Sequence, residues 1–199
     1  MKKDHSSLTA SSRLRWTPER LKKLNQAIRN CKKCPLWKTR KNAVPGEGPV
    51  NAKIFFCGQA PGFEENLTGK PFVGRAGKFL NQLLKLAKIK REKVFITSPI
   101  KCFPPKNRKP TKKEIESCLS YLKKQIEIIN PQKFILLGEV AFSVFFPNQK
   151  LKDFRGKWLK KNGKEYFQTY HPAAGIRFQK FKKILEKDFK KIKQTIKDF

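Results

Sequence analysis

Short hydrophobic runs alternate along the chain with longer segments in which apolar residues recur every three or four positions. The short runs are rich in Ile, Val, Phe, Leu or Tyr, a composition typical of buried strands. They predict strands at residues 53–57, 93–97, 133–137 and 166–170.

The longer segments predict amphipathic helices between and after these strands. Thr17 and Pro18 have the residue types of an N-cap and a first helical residue, and a helix is expected to begin there. Two more helices are expected at residues 75–87 and 139–146.

Two helices are predicted in more detail. Thr111 and Glu114 form a capping box that opens a helix. Its buried face is expected to consist of Ile115, Cys118, Leu119, Leu122, Ile126 and Ile129. The C-terminal segment carries lysines opposite an apolar face made of Phe178, Phe181, Ile184, Leu185, Phe189, Ile192 and Ile196.

This alternation predicts an α/β fold, with a mainly parallel sheet covered by helices and joined by right-handed crossovers. A length of 199 residues is typical of one domain. We expect that domain at residues 17–199, after a flexible basic tail at residues 1–16. In such a sheet the functional residues are expected just beyond the carboxyl ends of the strands.

The net charge of the chain indicates which class of partner it binds. Lys and Arg number 47 against 15 Asp and Glu, a formal net charge of +32, which favours a polyanion such as DNA, RNA or an anionic membrane surface. A Lys-rich surface can also arise without any nucleic-acid function. The sequence has no apolar stretch long enough to span a membrane and no secretory signal, so we expect a cytoplasmic protein.

Polar or special-backbone residues follow three of the predicted strands. Residues 58–62 read Gly-Gln-Ala-Pro-Gly, Ser98 follows the second strand, and His171 follows the fourth. Glycines allow backbone N–H groups to approach a ligand closely. Each feature alone is weak, since a histidine after a strand is often structural, but together they predict a site at this edge of the sheet.

Five cysteines in a cytoplasmic protein favour metal, cluster or core roles over disulfides. Cys31, Cys34, Cys102 and Cys118 could supply four thiolates to a zinc ion or an iron–sulfur cluster. The wide spacing of the second pair favours a cluster, although Cys118 could instead be a core residue. Cys57 ends a strand and is expected to be a buried apolar residue.

Three ordered motifs resemble the family 4 uracil-DNA glycosylases. They are GQAPGFEENLTGKPFVGRAGKFLNQLL, then ITSPIKC with FPPKNRKPT, and finally TYHPAA. The four cysteines match the cluster ligands of that family in order and spacing, and the likeness runs from about Cys31 to Arg177. It implies an αβα sandwich with a central four-stranded parallel sheet, a 4Fe–4S cluster, and hydrolysis of the glycosidic bond of deoxyuridine.

The resemblance also implies residue roles. Gly58, Gln59 and Ala60 would line the base pocket, with Phe72 stacked on an extruded uracil and Ser98 at the base edge. His171 would donate to uracil O2, and Glu65 is the nearest acid that could orient water. The segment Gly175, Ile176 and Arg177 would enter the minor groove of the DNA.

Two positions depart from the family pattern, which usually has Glu at position 59 and Asn at position 98. A serine hydroxyl is shorter than an asparagine amide and rotates freely, so we expect weaker or broader base selection at Ser98. The implied partner is single- or double-stranded uracil-containing DNA, bound by a nucleoid-associated monomer. Two alternatives are an inactive cluster-bearing DNA-binding protein on the same fold and a zinc-stapled RNA-binding module.

Overall fold

A computed structural model describes residues 17–196 of the chain, so the whole of the predicted N-terminal tail, residues 1–16, lies outside the described residues. Five strands form one sheet in the order β2-β1-β3-β5-β4. The strands are β1 Ile54–Cys57, β2 Phe95–Thr97, β3 Lys133–Leu137, β4 Trp158–Lys161 and β5 Lys164–Thr169.

The four predicted strands are confirmed as the parallel part of this sheet, with their ends shifted by up to two residues. The fifth strand, β4, was not predicted; it pairs antiparallel with β5 at one edge. Asn162 and Gly163 both have positive φ, as a two-residue hairpin turn requires. β4 was missed because its sequence is rich in lysine and only half-buried, unlike the apolar strands. The Asn-Gly pair that follows it is the sequence signal of the hairpin.

Eight helices surround the sheet within residues 17–196. They are α1 Pro18–Arg29, α2 Phe63–Thr68, α3 Arg75–Leu86, α4 Lys112–Ile129, α5 Glu139–Phe145, α6 Leu151–Phe154, α7 Pro172–Arg177 and α8 Gln179–Thr195. The predicted caps are confirmed, because the side chains of Thr17 and Thr111 accept hydrogen bonds from the N–H groups of Arg20 and Glu114. None of these helices is both long and apolar enough to cross a bilayer.

Alternate residues of the strands face opposite layers of helices. On one face, Phe55 and Phe134 pack in a core shared with α1, α4 and α5. On the other, Phe56 and Ile135 pack with α3 and α8. The three-layer αβα sandwich is therefore confirmed.

Two predicted helix faces need correction. In α4, Ile115, Leu119 and Ile126 are only partly buried, because the buried face is rotated toward Cys118, Tyr121, Leu122, Gln125, Ile128 and Ile129. The polar Gln125 is buried there because its amide donates to the carbonyl oxygen of Pro45 at 2.7 Å. At the C-terminus, Phe178 precedes α8 as its N-cap residue and is 55% exposed.

Candidate active site

A cavity of about 550 Å³ opens at the carboxyl edge of the parallel strands. Its walls come from the segments after β1, β2 and β5, together with α2 and the start of α3. The predicted residues that line it are Gln59, Ala60, Glu65, Phe72, Ser98, His171, Ile176 and Arg177. The volume lies within the range of ordinary small-molecule sites.

Phe72 and His171 meet inside this cavity although they lie far apart in the sequence. Their rings are stacked, with centroids 5.6 Å apart and planes 27° from parallel. The cavity therefore offers an aromatic face beside an imidazole edge.

His171 has a defined tautomer. Its Nδ1 accepts a hydrogen bond from the N–H of Ala173 at 3.2 Å, so the side chain caps α7 while Pro172 occupies the first helical position. Burial lowers the pKa of His171 to about 4, against the smaller opposing effect of Glu65. The imidazole is thus neutral at pH 7, and its proton lies on Nε2, which is free to donate.

Glycines make room for this ring pair. A Cβ on Gly58 would lie 2.7 Å from Cζ of Phe72, and one on Gly138 would lie 3.0 Å from Cβ of His171. Phe72 itself has a φ of +51°, and Gly77 at the start of α3 packs directly against its backbone. Gly58 is therefore buried beneath the rings and does not itself line the cavity.

Glu65 connects two segments of the cavity wall through hydrogen bonds to their backbone. Its carboxylate accepts hydrogen bonds from the N–H groups of Gly62, Val73 and Gly74 at 2.8–2.9 Å. These bonds use three of the four lone pairs of the carboxylate and tie α2 to the start of α3. The geometry favours a positioning role for Glu65 over the expected role of orienting water.

Ser98 follows β2 and is buried at the cavity wall. Its hydroxyl donates to the carbonyl oxygen of Ile100 at 2.6 Å. Because that bond uses its only proton, Ser98 can only accept hydrogen bonds from a molecule in the cavity.

The predicted DNA-contacting segment divides into two parts. Ile176 is 42% exposed and lines the cavity, as does the exposed Arg177. Gly175 is instead buried, and a Cβ there would lie 2.6 Å from Cε1 of Phe79. The glycine allows α7 to pack closely on α3, and a DNA contact of Gly175 stays a prediction.

The four predicted cysteine ligands surround a second, small pocket. Cys31 follows α1, Cys34 precedes a short 3₁₀ helix, Cys102 follows β2, and Cys118 lies in α4. Among residues 17–196, no three His, Cys, Asp or Glu side chains converge closely enough to hold a single metal ion.

Two cations that the sequence did not single out contact this pocket. A guanidinium nitrogen of Arg40 donates to Sγ of Cys102 at 3.0 Å, and the other donates to the carbonyl oxygen of Arg29 at the end of α1. Lys101 is fully buried, and burial lowers its pKa to about 8 against the opposing effect of Cys118.

Lys101 also connects the cysteine pocket with the cavity. Its ammonium donates to Oγ1 of Thr97, the carbonyl oxygen of Ser98 and Oε1 of Gln125 at 2.6–2.7 Å. The Ile-Lys-Cys sequence at 100–102 does not reveal a buried lysine, because lysine is almost never fully buried without partners.

Comparison with known proteins identifies the family. The profile of the Uracil DNA glycosylase superfamily matches residues 45–197, which include every residue that lines the cavity except Val44. A Type-4 uracil-DNA glycosylase of Saccharolobus solfataricus is 46% identical over 179 residues, which cover 85% of this chain and 83% of that protein. The chain belongs to the type-4 uracil-DNA glycosylases.

Other type-4 enzymes agree with this assignment. The Type-4 uracil-DNA glycosylase of Sulfurisphaera tokodaii is 44% identical, over 87% of this chain and 84% of that protein. The Type-4 uracil-DNA glycosylase of Pyrobaculum aerophilum is 42% identical, over 84% of this chain and 90% of that protein. The family expected from the three sequence motifs is therefore confirmed, and with it the class of enzyme.

Proposed function

We propose that this type-4 uracil-DNA glycosylase hydrolyses the N-glycosidic bond of deoxyuridine after the base has swung out of the DNA into the cavity. The main support is the stacked pair of Phe72 and His171 in one cavity at the carboxyl edge of the sheet. Phe72 offers an aromatic face for the base, and stacking of this kind is worth roughly 1–3 kcal/mol per base.

The proposed chemistry depends on charge that develops on the base. Uracil leaves as an anion from a cationic sugar, so a donor aimed at its oxygen is strongest as the bond breaks. His171 meets this need as a neutral imidazole with its proton on Nε2. Its low pKa keeps the ring in this single neutral form at pH 7.

The test is uracil excision from a labelled oligonucleotide under single-turnover conditions. Loss of a donor to a developing oxyanion typically costs about 10²–10³ in rate, so His171→Ala should slow excision by that factor. Ser143→Ala is the matched control, because its hydroxyl bonds the carbonyl of Val140 in α5 and lies outside the cavity lining. Excision by His171→Ala at the wild-type rate would contradict the catalytic assignment.

Base selection depends on Ser98. An acceptor without a donor requires only an N–H on the base, which hypoxanthine and xanthine share with uracil, whereas an amide also requires a neighbouring carbonyl oxygen in the right place. We expect wild-type protein to act on hypoxanthine or xanthine as well as uracil, and Ser98→Asn to narrow that range. The same oligonucleotide assay with each base measures both. Strict uracil selectivity by the wild type would contradict this account.

Cys31, Cys34, Cys102 and Cys118 would hold a 4Fe–4S cluster. A single zinc ion with Zn–S bonds of about 2.3 Å would draw its ligands together, whereas four irons accept one thiolate each at separated corners. The four thiols here surround a pocket without converging on a point. The cluster would connect α1, α4 and the segment after β2.

Cluster content can be measured without any activity assay. Purified protein should absorb near 400 nm (roughly where iron–sulfur clusters absorb) and contain iron and sulfide in equal amounts. Cys102→Ala should lose both signals, while Cys57→Ala should keep them, because Cys57 is buried in the sheet. Colourless protein with bound zinc would support the zinc alternative.

DNA binding would use the rim of the cavity. Ile176 would enter the space left by the extruded base, while Arg177 and other cations neutralise phosphates. The net charge of +32 supports this partner and a position on the nucleoid. We expect the affinity for DNA to fall steeply as the salt concentration rises. DNA affinity that does not change with salt concentration would contradict this expectation.

A further inference from the structure

Two phenylalanine rings pair beside the cavity, Phe63 exposed and Phe103 half-buried. Phe63, the first residue of α2, is 54% exposed, and its ring lies 6.4 Å from that of Phe103 with planes at 74°. Phe63 also lines the cavity, and Phe103 immediately precedes Pro104, which lines it too. The Phe63 ring keeps a solvent-exposed surface beyond this edge-to-face contact.

Single exposed apolar side chains are common, whereas exposed apolar groups clustered beside a cavity often mark a binding surface. Phe63 packs into neither of the two apolar cores. Its exposure is therefore not explained by folding.

The surroundings of this pair are cationic. Arg75 and Arg177 line the same cavity, and Lys106 is exposed three residues after Phe103. Arg108 also lines it, but its guanidinium is paired with the carboxylate of Glu114. Aromatic side chains among cations are the usual arrangement of a surface that binds single-stranded nucleic acid, where bases stack and phosphates pair with charge. A polyanion is therefore favoured over a protein partner.

We propose that Phe63 and Phe103 form a stacking platform for the unpaired base next to the extruded nucleotide in single-stranded DNA. This inference deepens the proposed function, since a strand that places one base in the cavity must cross its rim. In a duplex the neighbouring base remains paired and stacked within the helix. The platform therefore favours excision from single strands.

Binding distinguishes this platform from the catalytic site. We would measure the affinity for a uracil-free single strand and for the matching duplex by fluorescence anisotropy at one salt concentration. Phe63→Ala and Phe103→Ala should each weaken single-strand binding about fivefold or more, the size expected for one base stacked on one ring. Duplex affinity should change by less than about twofold, within the scatter of surface substitutions.

Two matched variants test the role of the ring. Phe63→Leu keeps much of the apolar area without an aromatic face, so it should weaken single-strand binding as Phe63→Ala does. Leu67→Ala removes another exposed apolar side chain of α2 that does not line the cavity, so it should bind like wild type. Unchanged binding by Phe63→Leu would overturn the stacking proposal.

Photo-crosslinking locates the base directly. A single strand with a non-hydrolysable 2′-fluoro-deoxyuridine at the target and 5-iodocytosine beside it should crosslink to Phe63 or Phe103. Crosslinks elsewhere, or equal losses on single strands and duplex, would overturn the platform. Failure of wild-type protein to excise uracil would instead overturn the proposed function, because the uracil-free binding comparison does not depend on excision.

Discussion

Replacement of Gly58 by alanine tests the packing beneath the ring of Phe72 in the cavity. The added Cβ would lie 2.7 Å from Cζ and 2.8 Å from Cε2 of Phe72, closer than real Cβ contacts allow. The ring must therefore move by about 0.7 Å or more to reach ordinary van der Waals contact.

Phe72 has little freedom to make that movement. Its backbone is held at a φ of +51°, and Gly77 packs against its carbonyl so closely that a Cβ would lie 1.8 Å away. The ring can only turn toward His171 or into the cavity. A displacement of about 1 Å in a catalytic arrangement can cost on the order of 100-fold in rate.

We therefore expect Gly58→Ala to lower kcat/KM for uracil excision roughly 10- to 100-fold. Overpacking costs about 1–3 kcal/mol, which should lower the melting temperature by roughly 3–10 °C. Single-turnover excision and thermal unfolding measure the two effects.

A double-mutant cycle assigns both losses to the ring of Phe72. In a Phe72→Ala background the contact no longer exists, so Gly58→Ala should cost almost no further stability. Wild-type activity and stability in Gly58→Ala would refute this reasoning, as would a stability loss that persists in the Phe72→Ala background.

Three further predictions concern buried ionisable side chains. Because burial lowers the pKa of His171 from 6.5 to about 4, its ring ¹⁵N signals should titrate near pH 4. Its contribution to the free energy of unfolding should be complete above pH 6.5 and lost as the pH falls toward 4; a midpoint near 6.5 would contradict this. Glu114, whose pKa is lowered to about 2 chiefly by the hydrogen bond from Arg108, should contribute stability above pH 4.5 that is lost as the pH falls through about 2. Glu114→Gln should therefore lose about 1–2 kcal/mol at pH 7 in urea unfolding, and less at low pH; equal losses at both would count against the pair. Asp188 is fully buried and accepts two hydrogen bonds from Arg155, so Asp188→Ala should cost about 3–5 kcal/mol in the same experiment; a cost below about 1 kcal/mol would be inconsistent with that burial.

The parallel sheet could be predicted because its strands are short, apolar and buried on both faces. The rule that carboxyl ends of parallel strands share one edge then brings Ser98 and His171 together without further information. The stacking of Phe72 on His171 could not be predicted that way, since Phe72 lies in no strand.

The buried polar contacts could not be predicted from sequence patterns. Lys101 and Asp188 are buried only because distant segments supply their partners, among them Gln125 and Arg155. Glu65 likewise has an ordinary position in a short helix, and its function is visible only in its bonds to backbone eight and nine residues later. Periodicity records which side of an element is apolar, whereas these contacts depend on tertiary structure.

The short segment from Ser98 to Cys102 limits how the sequence of this chain can evolve. Ser98 in the cavity wall and Cys102 in the second pocket are separated by only three positions, and Lys101 between them donates to the carbonyl of Ser98. An insertion or deletion here would shift both sites at once. Changes in the length of this segment are thus expected to affect both sites together. A descendant that lost its cysteines would need new packing around Lys101 to keep Ser98 in place at the cavity wall.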